Sequence, residues 1–228
     1  MLFRSGLPGR LPHGTPGDFT FTELSRGVAL FAAQTAPYLG AERLEPLDVR
    51  LGIGDFHLTG TIDSLFGDRH LRYRYASIKP KDHLGAWIPH LVLNCLAEPG
   101  YPRESLLIGL EKGAFHPVQY GAVEESREIL SRLLDLYWRG LVKPLRFFAA
   151  SAFDYLQTLQ VKQKTREQAL DAARLTWKGN DHKRGEIEDP YLDLCFRSVD
   201  PLDADFEAIA REVFEPLLRC MREVSDDA

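Results

Sequence analysis

Between Leu47 and Leu110 the hydrophobic pattern changes period several times, and each change predicts an element. Leu47, Val49, Leu51 and Ile53 alternate with Asp48 and Arg50, the period-2 signature of a half-buried strand. A second strand places Phe56, Leu58, Gly60, Ile62 and Phe66 on one side and His57, Thr59, Thr61 and Asp63 on the other. Gly54-Asp55 and Gly67-Asp68 supply turn residues that tolerate positive φ. With Leu71 to Tyr75 as a third strand, the segment reads as an antiparallel meander. The period then lengthens: Leu84, Trp87, Ile88, Leu91, Val92 and Cys95 recur at helical spacing, predicting an amphipathic helix from about Asp82 to Leu96. Its opposite edge carries His83, His90 and Asn94. Asp82 is suited to cap this helix, and Pro89 inside it predicts a kink. Leu106 to Leu110 reads as a fourth strand, and Phe19 to Phe31 as a helix that starts near Asp18 and stops before Pro37.

The second half of the chain carries helical periods almost throughout. Helices are predicted from about Ala122 to Tyr137, ended by Gly140 and Pro144, from Ser151 to Gln160, from a cap at Thr165 through Trp177, and from about Asp203 to Met221. Lys178 to Pro190 is a polar loop without a regular signal, followed by the apolar segment Tyr191 to Phe196. Residues 1–17, rich in Gly and Pro, are expected to form an irregular entry segment or the cut end of a longer chain. The organisation is therefore α/β, more narrowly α+β. Residues 18–120 form the helix, three-stranded meander, helix, strand core, and 121–228 form a helical extension packed on it within one domain overall.

Composition changes this picture little. A chain of 228 residues with 44% hydrophobic and 27% charged residues is long enough for a single proper core and ordinary in balance. The net charge of -5 argues against a uniformly basic nucleic-acid module, since phosphate binding requires clustered Lys and Arg. Cys95, Cys195 and Cys220 lie far apart among apolar neighbours with no C-x-x-C pair, the pattern of three buried, reduced thiols. No run approaches ~18 consecutive apolar residues, so no membrane partner is expected. Phosphate-loop, G-x-S-x-G and H-E-x-x-H motifs are all missing from the sequence.

Several blocks carry a resemblance. Gly60-x-Ile62-Asp63 is similar to the second-strand motif of the PD-(D/E)XK nuclease superfamily. The run Lys79-x-Lys81-Asp82-His83-Leu84-x-x-Trp87-Ile88-x-His90-Leu91-x-Leu93-Asn94 resembles the C-terminal domain of RecC, the gamma subunit of exodeoxyribonuclease V. Leu134-Asp135-Leu136-Tyr137-x-x-Gly140-Leu141-x-x-Pro144-Leu145-x-Phe147-Phe148 and Gly185-Glu186-x-x-Asp189-Pro190-Tyr191 fit the same domain. The resemblance covers nearly the whole chain in order. It implies a restriction-endonuclease-like core, a bacterial cytoplasmic setting, and a role in DNA repair and homologous recombination. RecB and RecD would be the partner subunits, and DNA would be reached through the assembled complex. Mg and ATP would be used by those partners, with no cofactor in this domain.

The chemistry departs from an active nuclease. Such a site needs an acid on the second strand and an acid, one residue, then Lys on the third, so that carboxylates hold a hard divalent cation that activates water. Asp63 supplies the first acid, but no acid occurs from Arg69 to Lys81. Arg72, Tyr73, Arg74 and Tyr75 stand there instead, and cations repel Mg²⁺. The glutamine of the following helix aligns with His90. No catalytic or metal site is therefore expected, with Asp63 a vestigial candidate, either paired across the strands with Arg72 or Arg74 or working with an acid from elsewhere such as Glu111 or Asp55. Arg72, Arg74, Lys79 and Lys81 form a local basic cluster that suits DNA or phosphate contact without cutting, or else a solvated, ion-paired strand edge. Tyr73 and Tyr75 are either core or a stacking platform for bases. His83, His90 and Asn94 suggest a satisfied surface or supporting role rather than a metal site. The leading expectation is a non-catalytic, nuclease-like domain acting in subunit assembly and DNA-end processing. The alternatives are a metal-dependent DNase using Asp63 and a stand-alone DNA-binding module.

Overall fold

The computed structural model describes residues 14–40, 42–181 and 183–224. Most of the predicted entry segment 1–17 lies outside them. Helix α1 spans Thr15–Thr35, and a 3₁₀ turn at Ala36–Leu39 follows. Strands β1 (Leu47–Ile53) and β2 (Phe56–Ile62) pair as an antiparallel hairpin in a register that sets Leu47 opposite Ile62 and Ile53 opposite Phe56. The expected second strand does not continue to Phe66. Ser64 has a positive φ of 56°, which bends the chain, and Leu65–Phe66 is a separate short strand, β3.

Strand β4 (Arg69–Ser77) pairs antiparallel with β3 and parallel with β5 (Glu104–Glu111). The expected meander is thus split, with the β1–β2 hairpin outside the five-stranded sheet β3-β4-β5-β6-β9. Helix α2 (Pro80–Leu96) is the crossover between β4 and β5, the connection that a parallel pair demands. It begins two residues earlier than expected, so Asp82 is its third helical residue. There Asp82 accepts the Lys79 backbone N–H at 2.9 Å, satisfying one of the donors that a helix start leaves unpaired.

Strand β6 (Ala114–Tyr120) was not foreseen. It joins β5 by a two-residue turn in which Lys112 (φ 50°) and Gly113 (φ 85°) both have positive φ, the geometry of a type I′ hairpin. Strand β9 (Met221–Glu223) pairs with β6, so the C-terminal region returns to the edge of the sheet.

Helix α3 (Ser126–Val142) runs through Gly140 instead of ending there, and Pro144 follows its cap. Next come α4 (Ala149–Leu156), a π-helical turn at Gln157–Val161, and α5 (Arg166–Lys178), whose N-cap Thr165 accepts the Gln168 N–H at 3.3 Å. The polar loop contains a small hairpin, β7 (Gly179–Asn180) with β8 (Lys183–Arg184), and a 3₁₀ turn at Glu186–Glu188. Helices α6 (Pro190–Phe196) and α7 (Ala204–Cys220) complete the chain.

Strand alternation sorts the core into two layers. On one face of the sheet Leu71, Leu106 and Ile108 pack against Phe31 of α1. On the other, Leu107, Val118 and Tyr120 join Trp87 and Leu91 of α2 and the helices of the second half, among them Phe153, Phe206 and Phe214. Gly109 is required where β4 bulges: β4 uses the span Tyr73 to Ser77 where β5 uses Ile108 to Leu110. A Cβ at Gly109 would collide with Ile78 and come within 3.0 Å of the Ala76 carbonyl. The three cysteines are free, but Cys195 is exposed rather than buried, and Cys95 and Cys220 are half-buried.

Candidate functional site

Of the site residues predicted from sequence, Asp63 and Arg72 line one cavity, Lys79 and Lys81 another, and Arg74 neither. Asp63 directly follows β2, exposed, and receives the Ser64 hydroxyl at 3.3 Å. It lines an open cavity of about 530 Å³ with Ser64, His70, Arg72, Tyr73 and Pro89. Asp63 and Arg72 thus face one space, but the expected ion pair between Asp63 and either arginine does not form; both arginines turn to α2 instead. Pro89 has no N–H, so the Gly85 carbonyl, four residues back, loses its helical donor. The Arg72 guanidinium donates to that carbonyl in its place. Arg74 pairs with Asp82 at 2.5 Å, so Asp82 holds both the start of α2 and the end of β4, where a carboxylate also favours the helix dipole.

Neither alternative acid reaches Asp63. Asp55 sits in the β1–β2 turn, at the opposite end of the hairpin. Glu111 ends β5, lies 3.6 Å from His116 and borders the other cavity. Among the described residues no three His, Cys, Asp or Glu side chains converge as a metal-holding group. A divalent cation needs several oxygen ligands of negative charge. The space at Asp63 offers one exposed carboxylate facing a guanidinium, so these residues do not fit the ion.

The two tyrosines part company. Tyr75 packs edge-on against Phe31 of α1, ring centroids 5.6 Å apart, whereas Tyr73 is 55% exposed at the Asp63 cavity. Lys79 and Lys81 flank Pro80 at the start of α2 and line the second cavity, away from Asp63. The basic cluster read from sequence is therefore two arginines tied to α2 and two lysines facing elsewhere.

His83, His90 and Asn94 are buried, not on a surface edge. His90 donates from Nε2 to the Gly121 carbonyl at 3.0 Å, which leaves Nδ1 to accept the Ser105 hydroxyl at 2.9 Å. His70 Nδ1 approaches the same hydroxyl at 3.4 Å. Asn94 donates to the carbonyls of His90 and Arg103, both at 2.9 Å, and accepts the Val123 N–H at 3.0 Å. His83 Nδ1 shares a hydrogen bond with the Tyr120 hydroxyl at 2.7 Å, and its ring stacks on Phe153. Burial disfavours the charged imidazolium and pulls His70, His83 and His90 each down to about 4. At neutral pH they are uncharged hydrogen-bonding groups that lock α2 to β4, β5 and β6. His70 borders the Asp63 cavity and His83 the second cavity, whereas His90 borders neither.

Sequence reasoning missed the functional neighbours that come from the second half. Lys183 borders the same cavity as Lys79 and Lys81, and Glu186 accepts the N–H groups of Ala150 and Ser151 at 3.0 and 2.8 Å and the Ser151 hydroxyl at 2.7 Å. Lys183 was signalled only by the polar composition of its loop, and Glu186 by the Gly185 to Tyr191 block, to which no site role was given.

Comparison with known proteins shows the family of the chain. A model of the RecC C-terminal domain matches residues 4–160. The RecBCD enzyme subunit RecC of Buchnera aphidicola subsp. Schizaphis graminum is 24% identical over 223 residues, covering 93% of this chain and 20% of that protein. That of Mycobacterium tuberculosis is 29% identical over 185 residues, 80% of this chain and 16% of that protein. That of Mycolicibacterium smegmatis is 31% identical over 143 residues, 60% and 13% respectively. The chain spans about a fifth or less of the curated relatives it matches.

Proposed function

We propose, for a chain that belongs to the RecC C-terminal domain family, that it is the non-catalytic, nuclease-like portion of a RecC-type subunit. It would act in assembly with RecB- and RecD-type partners and in handling DNA ends for double-strand break repair and recombination. ATP and Mg²⁺ would be used by those partners. A bacterial cytoplasmic setting follows from the same reading, and no helix among the described residues is long and apolar enough to cross a membrane.

The observation that carries this reading is the fate of the third strand. Where a PD-(D/E)XK-type nuclease would place its second acid and its lysine, β4 presents Arg72 and Arg74, and both are used to fasten the sheet to α2. The strand has exchanged metal ligands for structural cations, while Asp63 keeps its place without a carboxylate partner. A scaffold role explains this trade; a working metal site does not.

The test has two arms. Purified chain and its Asp63→Ala variant are incubated with linear duplex and single-stranded DNA in Mg²⁺ or Mn²⁺. No cleavage by either is expected, and cleavage that disappears in the variant would overturn the reading in favour of a DNase. In the second arm, co-expression with RecB- and RecD-type subunits of the same source should yield a complex retained through size exclusion. A folded chain that binds neither would count against the assembly role.

A further inference from the structure

The cavity to which Lys79 and Lys81 turn is distinct from the Asp63 space and is built from both halves of the chain. It measures about 510 Å³ and is bordered by the β4–α2 turn at Ile78 to Lys81, the end of β5 at Leu110 and Glu111, the first turn of α4 and Lys183 of the small hairpin. Three features converge there. First, β4 and β5 are parallel and end at this cavity, and in open sheets with parallel strands the crevice beyond the carboxyl ends is where ligands bind. Second, the first turns of α2 and α4 border the same space, with the Lys79 N–H taken by Asp82 and those of Ala150 and Ser151 by Glu186, so the lysines are the groups left to meet an anion there. Third, Lys79, Lys81 and Lys183 are all exposed, and among the described residues none of the three forms an ion pair.

The carboxylates that border the cavity are already engaged. Glu186 spends both oxygens on the first turn of α4, Asp154 accepts the Thr176 hydroxyl, and Glu111 faces His116 at 3.6 Å. Glu111, Asp154 and Glu186 border the same space as the three lysines, but among the described residues none of them forms an ion pair with Lys79, Lys81 or Lys183, whose ammonium groups stay free to turn to a ligand. A π-helical turn begins at Gln157, which also lines the cavity; such turns persist in helices mainly at functional sites.

We propose that this cleft binds a phosphate anion through Lys79, Lys81 and Lys183. The inference deepens the DNA-handling part of the reading above and rests on it for the source of the phosphate, the nucleic-acid backbone. Lysines suit this task as mobile point charges that follow a backbone without fixing its sequence.

The test uses the full chain with two probes, a fluorescein-labelled oligothymidylate read by anisotropy and inorganic pyrophosphate read by calorimetry. The variants are the triple Lys79→Gln, Lys81→Gln, Lys183→Gln and, as a comparison, Arg74→Gln. The triple variant should lose at least about tenfold in affinity for the oligonucleotide, and its salt slope should fall by about 2, near 0.7 for each lost single-strand contact. Arg74→Gln should stay within about twofold. Binding of pyrophosphate alone, lost in the triple variant, would keep the site and assign it to free phosphorylated solutes. Failure of wild-type chain to bind either probe, or a triple variant that binds as wild type does, would overturn the site. Because all three lysines are exposed, an unchanged thermal melt is expected and serves as the folding control. Loss of this site would leave the subunit reading standing, since that is judged by complex formation and not by anion affinity.

Discussion

Pro89 and Arg72 are coupled through one carbonyl. Proline takes away the helical donor to Gly85, and the guanidinium on β4 replaces it. Arg72→Met should therefore destabilise the chain by about 1 kcal/mol, the typical net value of a hydrogen bond. In a Pro89→Ala background, where the helix supplies its own N–H, the same change should be nearly neutral. Urea denaturation of the four proteins of this cycle gives the coupling directly, and equal costs in both backgrounds would show that Arg72 acts otherwise. The buried histidines set a second prediction. Their folded values lie near 4 against 6.5 unfolded, so between these limits the unfolded chain binds more protons than the folded one. Stability is fully present above about pH 6.5 and should fall as pH drops toward 4. Urea midpoints across that range check the sign, and a flat profile would contradict the burial. At this scale the missing third-strand acid was legible, because it is a matter of residue identity. Burial of His90 and Asn94 was not, since their partners Ser105, Gly121, Arg103 and Val123 are brought to them only by the fold.

The motif blocks that suggested a family turn out, at the scale of elements, to be caps and joints. In the Gly185 to Tyr191 block, Glu186 receives the first turn of α4, Asp189 caps α6 by accepting the N–H groups of Tyr191 and Leu192 at 2.9 and 3.3 Å, and Gly185 sits where a Cβ would strike the backbone of Trp177 and Lys178. Glu186→Ala should thus remove three hydrogen bonds at once and lower stability by about 2 kcal/mol, at the upper end for a helix cap; Glu186→Gln should recover part of this. Thermal melts decide it, and a loss no larger than that of an exposed surface residue would deny the cap its role. Helices were legible here because their apolar stripes repeat over several turns, as in α2 and α7. Strand β6 was hidden by Pro117, although Gly113 in a two-residue turn was a usable hairpin signal. Strand β9 is three residues long, too short for any period to register, and it exists only because the β6 edge was available. Helix α3 overran Gly140 because the Leu145 side chain covers it, 3.4 Å from where a Cβ would stand, and tertiary packing outweighs the modest helix penalty of one glycine.

Across the whole molecule the exposed apolar surface is uneven, and this bears on assembly. Sheet and helices bury a core on each face of the sheet, yet the last turns of α3 leave Tyr137, Trp138, Leu141 and Val142 between 58% and 78% exposed. Tyr137 and Leu141 continue into an open apolar groove of about 430 Å³, walled by Leu84, Ile88, Leu145 and Val213 of other segments. Exposed apolar patches of this kind mark protein contact surfaces, which on the proposed assembly role would be where a RecB- or RecD-type partner docks. On the assembly reading, the double variant Leu141→Asp, Val142→Asp should keep its thermal melt, because neither side chain is buried, but lose retention with the partner subunits in co-purification. The triple lysine variant at the phosphate cleft should do the reverse, remaining in the complex while losing anion affinity. The two surfaces lie on different elements, so their effects should be additive and separable. If the aspartates leave the complex intact, the α3 surface is not the contact with those partners, and the assembly role must rest on another face.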